Sequence, residues 1–180
     1  MNYLKWLVPI GLCAWLGQYV LAMFVPTVIM ETLYRKAGAV NGFNQLVLSP
    51  IPDETSRGVV RPSPDLFYAI CVYNLEDGPL TVEAPVPKRY WSMQFYQMNT
   101  DNFAGITNQR DEQSRVGSTV RVTLISADDN PADYEGELIQ SPTERGVMLL
   151  RASAIGDNSA SLAALRGSRC GASADAQARE

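Results

Sequence analysis

Residues 66–98 read LFYAICVYNLEDGPLTVEAPVPKRYWSMQFYQM, and this stretch decides the fold class. Its first part, Leu66–Tyr73, is rich in apolar, aromatic and β-branched residues, which favour strands. A turn follows, because Gly78 tolerates a positive φ and Asp77 can bond its own backbone. Leu80–Ala84 then reads as a second short strand, so we predict that the two strands form a β-hairpin.

Tyr90–Met98 is predicted to be the longest strand of the chain. Alternate residues fall on opposite faces of a strand, and here both faces carry bulky side chains. One face has Trp91, Met93 and Phe95, and the other has Tyr90, Ser92, Gln94 and Tyr96. Such a strand suits a sheet that is covered on both sides or an aromatic-lined cavity.

Further strands are predicted at Thr119–Ser126, around Tyr134–Gln140 and at Val147–Ile155. Asp157 or Asn158 then caps a short helix. Strands at turn-length spacing predict a mainly β fold, either a jelly-roll-like β-sandwich or an open barrel, with one short C-terminal helix. We assign residues 37–166 to this domain and expect residues 167–180, rich in Ala, Ser and Gly, to form a flexible tail.

An uncharged apolar run precedes the domain. Trp6–Met30 is 25 residues without a charged side chain, and 25 helical residues reach roughly 37 Å, enough to cross a bilayer. We therefore predict a transmembrane anchor, with its flanks, in residues 1–36. A cleaved signal peptide is the alternative, although its apolar core is shorter, about 7–15 residues. A buried core helix is disfavoured because Gln18 is the only strongly polar side chain in the run.

The charged residues do not predict the orientation of the helix in a membrane, but they restrict the binding partners of the domain. Lys5 flanks the run on one side and Arg35 and Lys36 on the other, so the bias that orients membrane helices is close to nil. Residues 37–180 hold 18 acidic and 12 basic side chains, a net charge of −6, and no Lys/Arg cluster. Nucleic acid and anionic lipid surfaces are poor partners for such a domain.

Histidine and cysteine restrict the possible chemistry. The chain has no histidine, which excludes Ser-His-Asp and Cys-His catalysis, HExxH zinc sites and histidine-ligated cupin metals. The three cysteines, Cys13, Cys71 and Cys170, have no CxxC spacing, so no metal or redox site is predicted. A Cys71–Cys170 disulfide is possible in an oxidising compartment, and a buried free Cys71 is the alternative. No cofactor is expected.

Residues 59–68, VVRPSPDLFY, resemble the hallmark "VVRPNPDTLYS" of the bacterial family labelled domain of unknown function 1254. Further similarities cover roughly residues 42–166: they are DGP at 77–79, KRYW at 88–91 for the family's "DRYY", TDNFA at 100–104, SPT at 141–143 and Leu150-Arg151 for "GR". The chain departs from the family at Ser63 and Phe67 and lacks the usual "GP" loop after Gly117.

The resemblance implies architecture more than chemistry. Family members are jelly-roll-like, exported or envelope-associated, and pair this domain with a second one, labelled domain of unknown function 1214, in the same chain or in a separate companion protein. This chain would be a short, anchored version without the companion domain. Its soluble part would face the periplasm from the bacterial inner membrane. No reaction comes with the family, so no catalytic residue is carried over.

Charged and aromatic residues at predicted strand ends and turns form our candidate site. They are Arg61, Asp65, Tyr68, Arg89, Tyr96, Asp101 and Arg151. Guanidinium groups pair carboxylates bidentately, so these residues can line a pocket in the mouth of the jelly roll that binds a small anionic or sugar-like ligand. The structural alternative is that Asp65 caps a turn and the arginines brace loops.

Three functions stay open. The first is a membrane-anchored binding or assembly subunit of the cell envelope, acting with a companion protein. The second is a histidine-free hydrolase or isomerase of small carbohydrates or acids, which uses Asp65, Asp101 and Tyr68. The third is a structural homo-oligomer whose exposed aromatic residues form an interface. We favour the first, because no catalytic motif is present.

Overall fold

The computed structural model of the chain describes residues 4–52, 62–108 and 115–173. Two helices frame the strands, α1 (Leu4–Asn41) and α2 (Ser159–Gly167). The described residues form nine strands, which are β1 (Leu46–Leu48), β2 (Leu66–Asn74), β3 (Leu80–Pro85), β4 (Trp91–Gln97), β5 (Asn102–Thr107), β6 (Thr119–Ser126), β7 (Leu138–Ser141), β8 (Arg145–Ser153) and β9 (Arg169–Ala172). A 3₁₀ helix at Pro131–Asp133 lies between β6 and β7.

The strands form two separate sheets, so the fold is a β-sandwich with no closed barrel among the described residues. The five-stranded sheet has the order β1-β2-β8-β4-β5 and is antiparallel throughout. The four-stranded sheet has the order β7-β6-β3-β9, in which β6 and β7 run parallel. The mainly β prediction, with a long N-terminal apolar helix and a short C-terminal one, is confirmed.

The core lies between the two sheets, and strand alternation fills it. On β4, Trp91, Met93 and Phe95 are fully buried, as the sequence predicts for one face of this strand. Leu80 and Val82 on β3 meet them from the opposite sheet in the same cluster. Burial of such large apolar side chains, each contributing roughly 1.5–3 kcal/mol, holds the sheets together.

The predicted hairpin is wrong, although its turn is real. Gly78 has φ +117° and its N–H donates to the carbonyl of Leu75 at 3.0 Å. However, β2 pairs with β1 and β8, whereas β3 pairs with β6 and β9. Each strand buries a full face, and the two buried faces meet across the core rather than within one sheet. The turn therefore carries the chain from one sheet to the other.

Other strand predictions are partly right. β6 has the predicted bounds, and β7 and β8 lie within or near the two predicted segments. β4 has seven residues and is not the longest strand, since β2 and β8 have nine each. The strands β1, β5 and β9 have no sequence prediction, because they are short or lack clear alternation.

Part of the segment expected to be a flexible tail is ordered. Residues Arg169–Ala172 form β9, which pairs with β3 at the edge of the four-stranded sheet. Cys170 on β9 forms a disulfide with Cys71 on β2, so a covalent bond joins the two sheets. Strand pairing and this cross-link fix a segment whose composition alone favours disorder. Residues 174–180 lie outside the described residues.

Helix α1 extends beyond the predicted anchor without a break. It passes through Pro26 and ends at Asn41, where Gly42 has φ +80° and donates its N–H to the carbonyl of Gly38 at 2.9 Å. By length and composition α1 can cross a membrane, as an anchor or as a signal sequence.

The last turns of α1 pack on the five-stranded sheet. Met30 and Tyr34 are buried, and the guanidinium carbon of Arg145, at the start of β8, lies 5.5 Å from the centre of the Tyr34 ring. Arg145 is also 3.9 Å from the carboxylate of Glu31. The junction between helix and domain is therefore a packed contact rather than a free linker.

Candidate functional site

The outer face of the five-stranded sheet brings together residues from three strands. Tyr68 on β2 pairs with Arg151 on β8, and Arg151 pairs with Ser92 on β4. Residues that are directly opposite in neighbouring strands point to the same face, so these three side chains form one row. We call Tyr68, Arg151 and Ser92 the Arg151 row. It lies near the distal end of the sheet, where β2 begins and β8 ends.

Hydrogen bonds connect the Arg151 row. Nε of Arg151 donates to Oγ of Ser92 at 3.1 Å, and the hydroxyl of Tyr90 lies 3.1 Å from the same oxygen. The hydroxyl oxygen of Tyr68 accepts from the N–H of Ser63 at 2.9 Å. These bonds orient the guanidinium group but occupy only one of its five N–H donors.

Arg151 has no carboxylate partner in the described ranges. It is half-buried, and none of the ion pairs among the described residues includes it. Charged groups that are partly removed from water are normally paired, because their desolvation is costly. As far as the described residues show, the terminal nitrogens of Arg151 can pair with an anionic group.

A polar depression adjoins the row. Its volume is about 360 Å³, and it is lined by uncharged residues, namely Tyr90, Ser92, Gln94, Asn102, Gly105 and Thr107. Nδ2 of Asn102 donates to Oε1 of Gln94 at 2.9 Å, which fixes that amide. A Cβ at position 105 would meet the amide end of the Gln94 side chain, so Gly105 leaves room for that amide in its present position. The depression offers hydroxyl and amide groups to a ligand rich in oxygen.

Two predicted site residues lie at the opposite, proximal end of the sheet. Tyr96 pairs with Val147. This pair lies four residues along the strand from the Ser92–Arg151 pair, which corresponds to about 13 Å. Asp101 lies in the β4–β5 turn, where its carboxylate accepts from Nδ2 of Asn99 at 2.7 Å. The Asp101 side chain therefore stabilises the β4–β5 turn and does not reach the Arg151 row.

Asp65 and Arg89 lie at the distal end but outside the row. The carbonyl of Asp65 accepts from the N–H of Ala154 at 2.8 Å, and Ser63, not Asp65, provides the side-chain oxygen of the turn by accepting from the Asp65 N–H at 3.3 Å. Arg89 is exposed and its guanidinium lies beside Gly156. The seventh candidate, Arg61, lies outside the described residues.

The predicted pair of carboxylates does not assemble. Asp65 precedes β2 at the distal end, whereas Asp101 precedes β5 at the proximal end, so roughly 20 Å, about the length of β4, separates them. Two carboxylates that act on one glycosidic bond lie within about 10 Å of each other. Nothing in this arrangement favours the histidine-free hydrolase.

The outer face of the four-stranded sheet holds a cavity of about 840 Å³. Its side chains include Glu83 and Arg121, which neutralise each other at 2.6 Å. None of the predicted site residues that the structure describes lines it. In the part of the chain that the structure describes, no group of three or more Cys, Asp or Glu side chains is placed to hold a metal ion.

Comparison with known proteins gives a family match and fold relatives. The model of the family described as "Protein of unknown function (DUF1254)" matches residues 43–170. No curated protein matches the chain. The crystal structure of the VPA0106 protein from Vibrio parahaemolyticus is similar, with a TM-score of 0.56, 14% identity and coverage of 88% of this chain.

The fold relatives are longer than this chain. The chain spans 39% of the Vibrio structure. An uncharacterised protein from Burkholderia cenocepacia is similar over 67% of this chain and 35% of its own, with 17% identity and a TM-score of 0.47. The Vibrio likeness supports the sandwich fold alone.

Proposed function

The chain belongs to the family of unknown function DUF1254, and on that premise we propose that it is a membrane-anchored binding subunit of the cell envelope with its ligand site at the Arg151 row. The ligand is a small oxygen-rich anion, such as a hydroxy acid or a sugar acid. Its carboxylate pairs with Arg151, and its hydroxyl groups bond Ser92, Tyr90 and Gln94.

The single observation that carries the proposal is the half-buried guanidinium of Arg151, which forms no ion pair with any described residue and lies beside an uncharged polar depression. Arginine is suited to bidentate recognition of a carboxylate because its N–H donors form a rigid planar fork. The hydrogen bond from Nε of Arg151 to Ser92 fixes the orientation of the guanidinium group relative to the sheet. The depression then provides the hydrogen bonds that distinguish a sugar acid from a simple carboxylate.

Helix α1 and the disulfide support the proposed location. An apolar helix that continues into the domain supports an uncleaved, single-pass anchor. A disulfide between two core strands persists in an oxidising compartment, which supports a periplasmic domain on the bacterial inner membrane. The chain spans 39% of its Vibrio fold relative, and we propose that a companion protein binds this domain.

Thermal unfolding of the full chain in detergent tests the ligand site. Hydroxy acids, sugar acids and neutral sugars are added in parallel, and the acids should raise the unfolding temperature by mass action. Arg151→Gln should weaken binding of the acids about tenfold or more, because a charge-assisted hydrogen bond is lost. Arg166→Gln, at an exposed position in the last turn of α2, is the matched control and should bind normally.

Two outcomes would contradict the proposal. One is that none of the acids stabilises the wild-type protein. The other is that Arg151→Gln keeps full affinity while its fold, measured by circular dichroism, is intact. Companion binding is a separate question, which is tested by co-purification from membranes in mild detergent. Repeated recovery of the chain alone would count against a companion and leave the ligand site unaffected.

A further inference from the structure

We infer that the outer face of the four-stranded sheet is a second binding site, which takes a short peptide with a free amino terminus and a free carboxyl terminus. The site is the cavity of about 840 Å³ on this face, which is within the size range of small-molecule sites. Arg169, Gly171 and Ser173, on β9 or directly after it, line the cavity, so we call it the β9 cavity. It is separate from the Arg151 row, which lies on the other sheet and contributes no residue to the lining.

The β9 cavity has charges of opposite sign on its two sides. Arg169 lies on β9 at one edge of the sheet, and Glu135 lies in the connection that leads into β7, at the other edge. Both residues are exposed, and neither has an oppositely charged group within 4.0 Å among the described residues. Between them, Arg121 and Glu83 neutralise each other. The two acidic and two basic side chains of the lining sum to zero, so the cavity suits a zwitterion better than an anion or a cation.

The separation of these two charges fits a tripeptide. Neighbouring strands lie about 4.8 Å apart, so the three strand spacings from β7 to β9 separate the backbones at Glu135 and Arg169 by roughly 14 Å. An extended chain covers at most about 3.3–3.6 Å per residue, so three residues reach roughly 10 Å. The two side chains cover the remaining distance. A tripeptide can therefore place its carboxylate at Arg169 and its amino group at Glu135, with a charge-assisted hydrogen bond at each end.

The floor of the cavity leaves room for a ligand. Gly171 on β9 pairs with Thr81 on β3, which pairs with Thr123 on β6, so the three residues form a row on the outer face. Among the described residues, none apart from the chain neighbours of Gly171 has an atom within 4 Å of the position that its Cβ would take. A glycine inside a strand often marks the close approach of a ligand or another backbone. The two threonines line the cavity, and hydroxyl groups both donate to and accept from peptide groups.

Ser173 provides an independent indication of a missing partner. Its N–H donates to the carbonyl of Pro79 at 3.0 Å, which continues the pairing of β9 with β3. By alternation, its side chain lies on the same face as those of Arg169 and the row at Gly171. Ser173 lines the cavity and is 1% exposed, and its Oγ has no hydrogen-bond partner in the described part of the chain. Buried hydroxyl groups are nearly always bonded, and a peptide N–H or carbonyl group in the cavity would supply the partner.

Calorimetric titration of the full chain in detergent with trialanine tests the site. The wild-type protein should bind the peptide with both ends free. N-acetylation and C-terminal amidation should each weaken binding about tenfold, because each removes one charge-assisted contact. Arg169→Gln should weaken binding of the free peptide about tenfold and abolish the difference between the free and the amidated peptide. Glu135→Gln should likewise abolish the difference between the free and the acetylated peptide, so the two variants show which end of the peptide each residue binds.

Further variants separate ligand contacts from effects on the fold. Gly171→Val should fill the floor of the cavity and weaken binding at least tenfold, while urea unfolding stays unchanged because the position is open and valine favours strands. Ser173→Ala should weaken binding several-fold without loss of stability, since its hydroxyl has no partner to lose in the described part of the chain. Arg166→Gln and Glu144→Gln remove exposed charges outside the cavity, and Arg151→Gln removes the other proposed site. All three controls should bind trialanine normally.

The inference is overturned if trialanine does not bind, or if the peptide that is both acetylated and amidated binds as tightly as the free one. Maltose, a neutral disaccharide, is titrated in parallel, and tighter binding of maltose than of trialanine would overturn the peptide assignment in favour of a carbohydrate. Should Gly171→Val fail to fold, the charge variants and the modified peptides still test the site. Failure here leaves the Arg151 proposal intact, because that test uses sugar acids, a different sheet and a different arginine.

Discussion

Reduction of the Cys71–Cys170 disulfide should remove a large part of the stability of the domain. The two cysteines are separated by 99 residues in sequence, so the bond closes a loop that includes most of the sandwich. The chain-entropy model gives a cost for such a loop of about 4.7 kcal/mol at 25 °C, through its restriction of the unfolded state. Typical domains have a total stability of about 5–15 kcal/mol. The reduced domain should thus be marginal.

Urea unfolding of the full chain in detergent, with and without a thiol reductant, measures this effect. The free energy of unfolding should fall by about 2–5 kcal/mol on reduction, the range seen when native disulfides are removed. Cys71→Ser with Cys170→Ser should reproduce the loss and abolish the response to reductant. Cys13→Ser is the matched control, because Cys13 is an exposed free cysteine in α1. That variant should behave like the wild-type protein.

Thiol titration of the unfolded, unreduced protein provides the second readout. One reactive thiol is expected, that of Cys13, in protein exported to the periplasm. Three thiols would refute both the disulfide and the argument for an oxidising compartment. An unchanged free energy on reduction, with the bond shown to be broken, would instead refute the loop-closure reasoning. The two failures are distinguishable because they come from different measurements.

Two further predictions concern the core. Gly146→Ala should destabilise the domain by about 1–3 kcal/mol in urea unfolding, because its Cβ would collide with the Tyr73 hydroxyl and the Tyr96 carbonyl; Gly171→Ala, with open space at its Cβ, is the control, and equal losses would contradict the packing argument. Burial raises the pKa of Tyr73 from its usual 10.0 to about 12, so stability should fall by up to roughly 2–3 kcal/mol as pH rises from 10 to 12. Tyr73→Phe should flatten that part of the pH profile, and an unchanged slope would exclude Tyr73 as its source.

The local pattern of the sequence predicts much of the fold. Alternation identifies the buried face of β4 and the bounds of β6, because side-chain period depends only on neighbouring residues. The uncharged run Trp6–Met30 likewise predicts α1 from the properties of neighbouring residues. The pairing of strands, in contrast, cannot be predicted from neighbouring residues. The Gly78 turn is correctly located but joins strands of different sheets, since partner choice depends on which faces meet across the core.

The candidate site, too, was predictable in its local features but not in its assembly. Residue type and position singled out Tyr68 and Arg151, and the alternation of β4 placed Ser92 on a face with Tyr90. No local signal relates β2, β4 and β8 to one another, so the register that unites Tyr68, Arg151 and Ser92 is visible only in the sheet.

Local sequence features were enough to predict the mainly β fold, the apolar helix that can span a membrane, the absence of histidine-based catalysis and the family. These properties depend on composition, short-range periodicity and motifs that lie within a few residues of each other. Tertiary structure alone decided the two-sheet division, the Cys71–Cys170 cross-link and the separation of Asp65 from Asp101. They depend on contacts between residues far apart in the chain, which form only when the buried faces of the two sheets pack together.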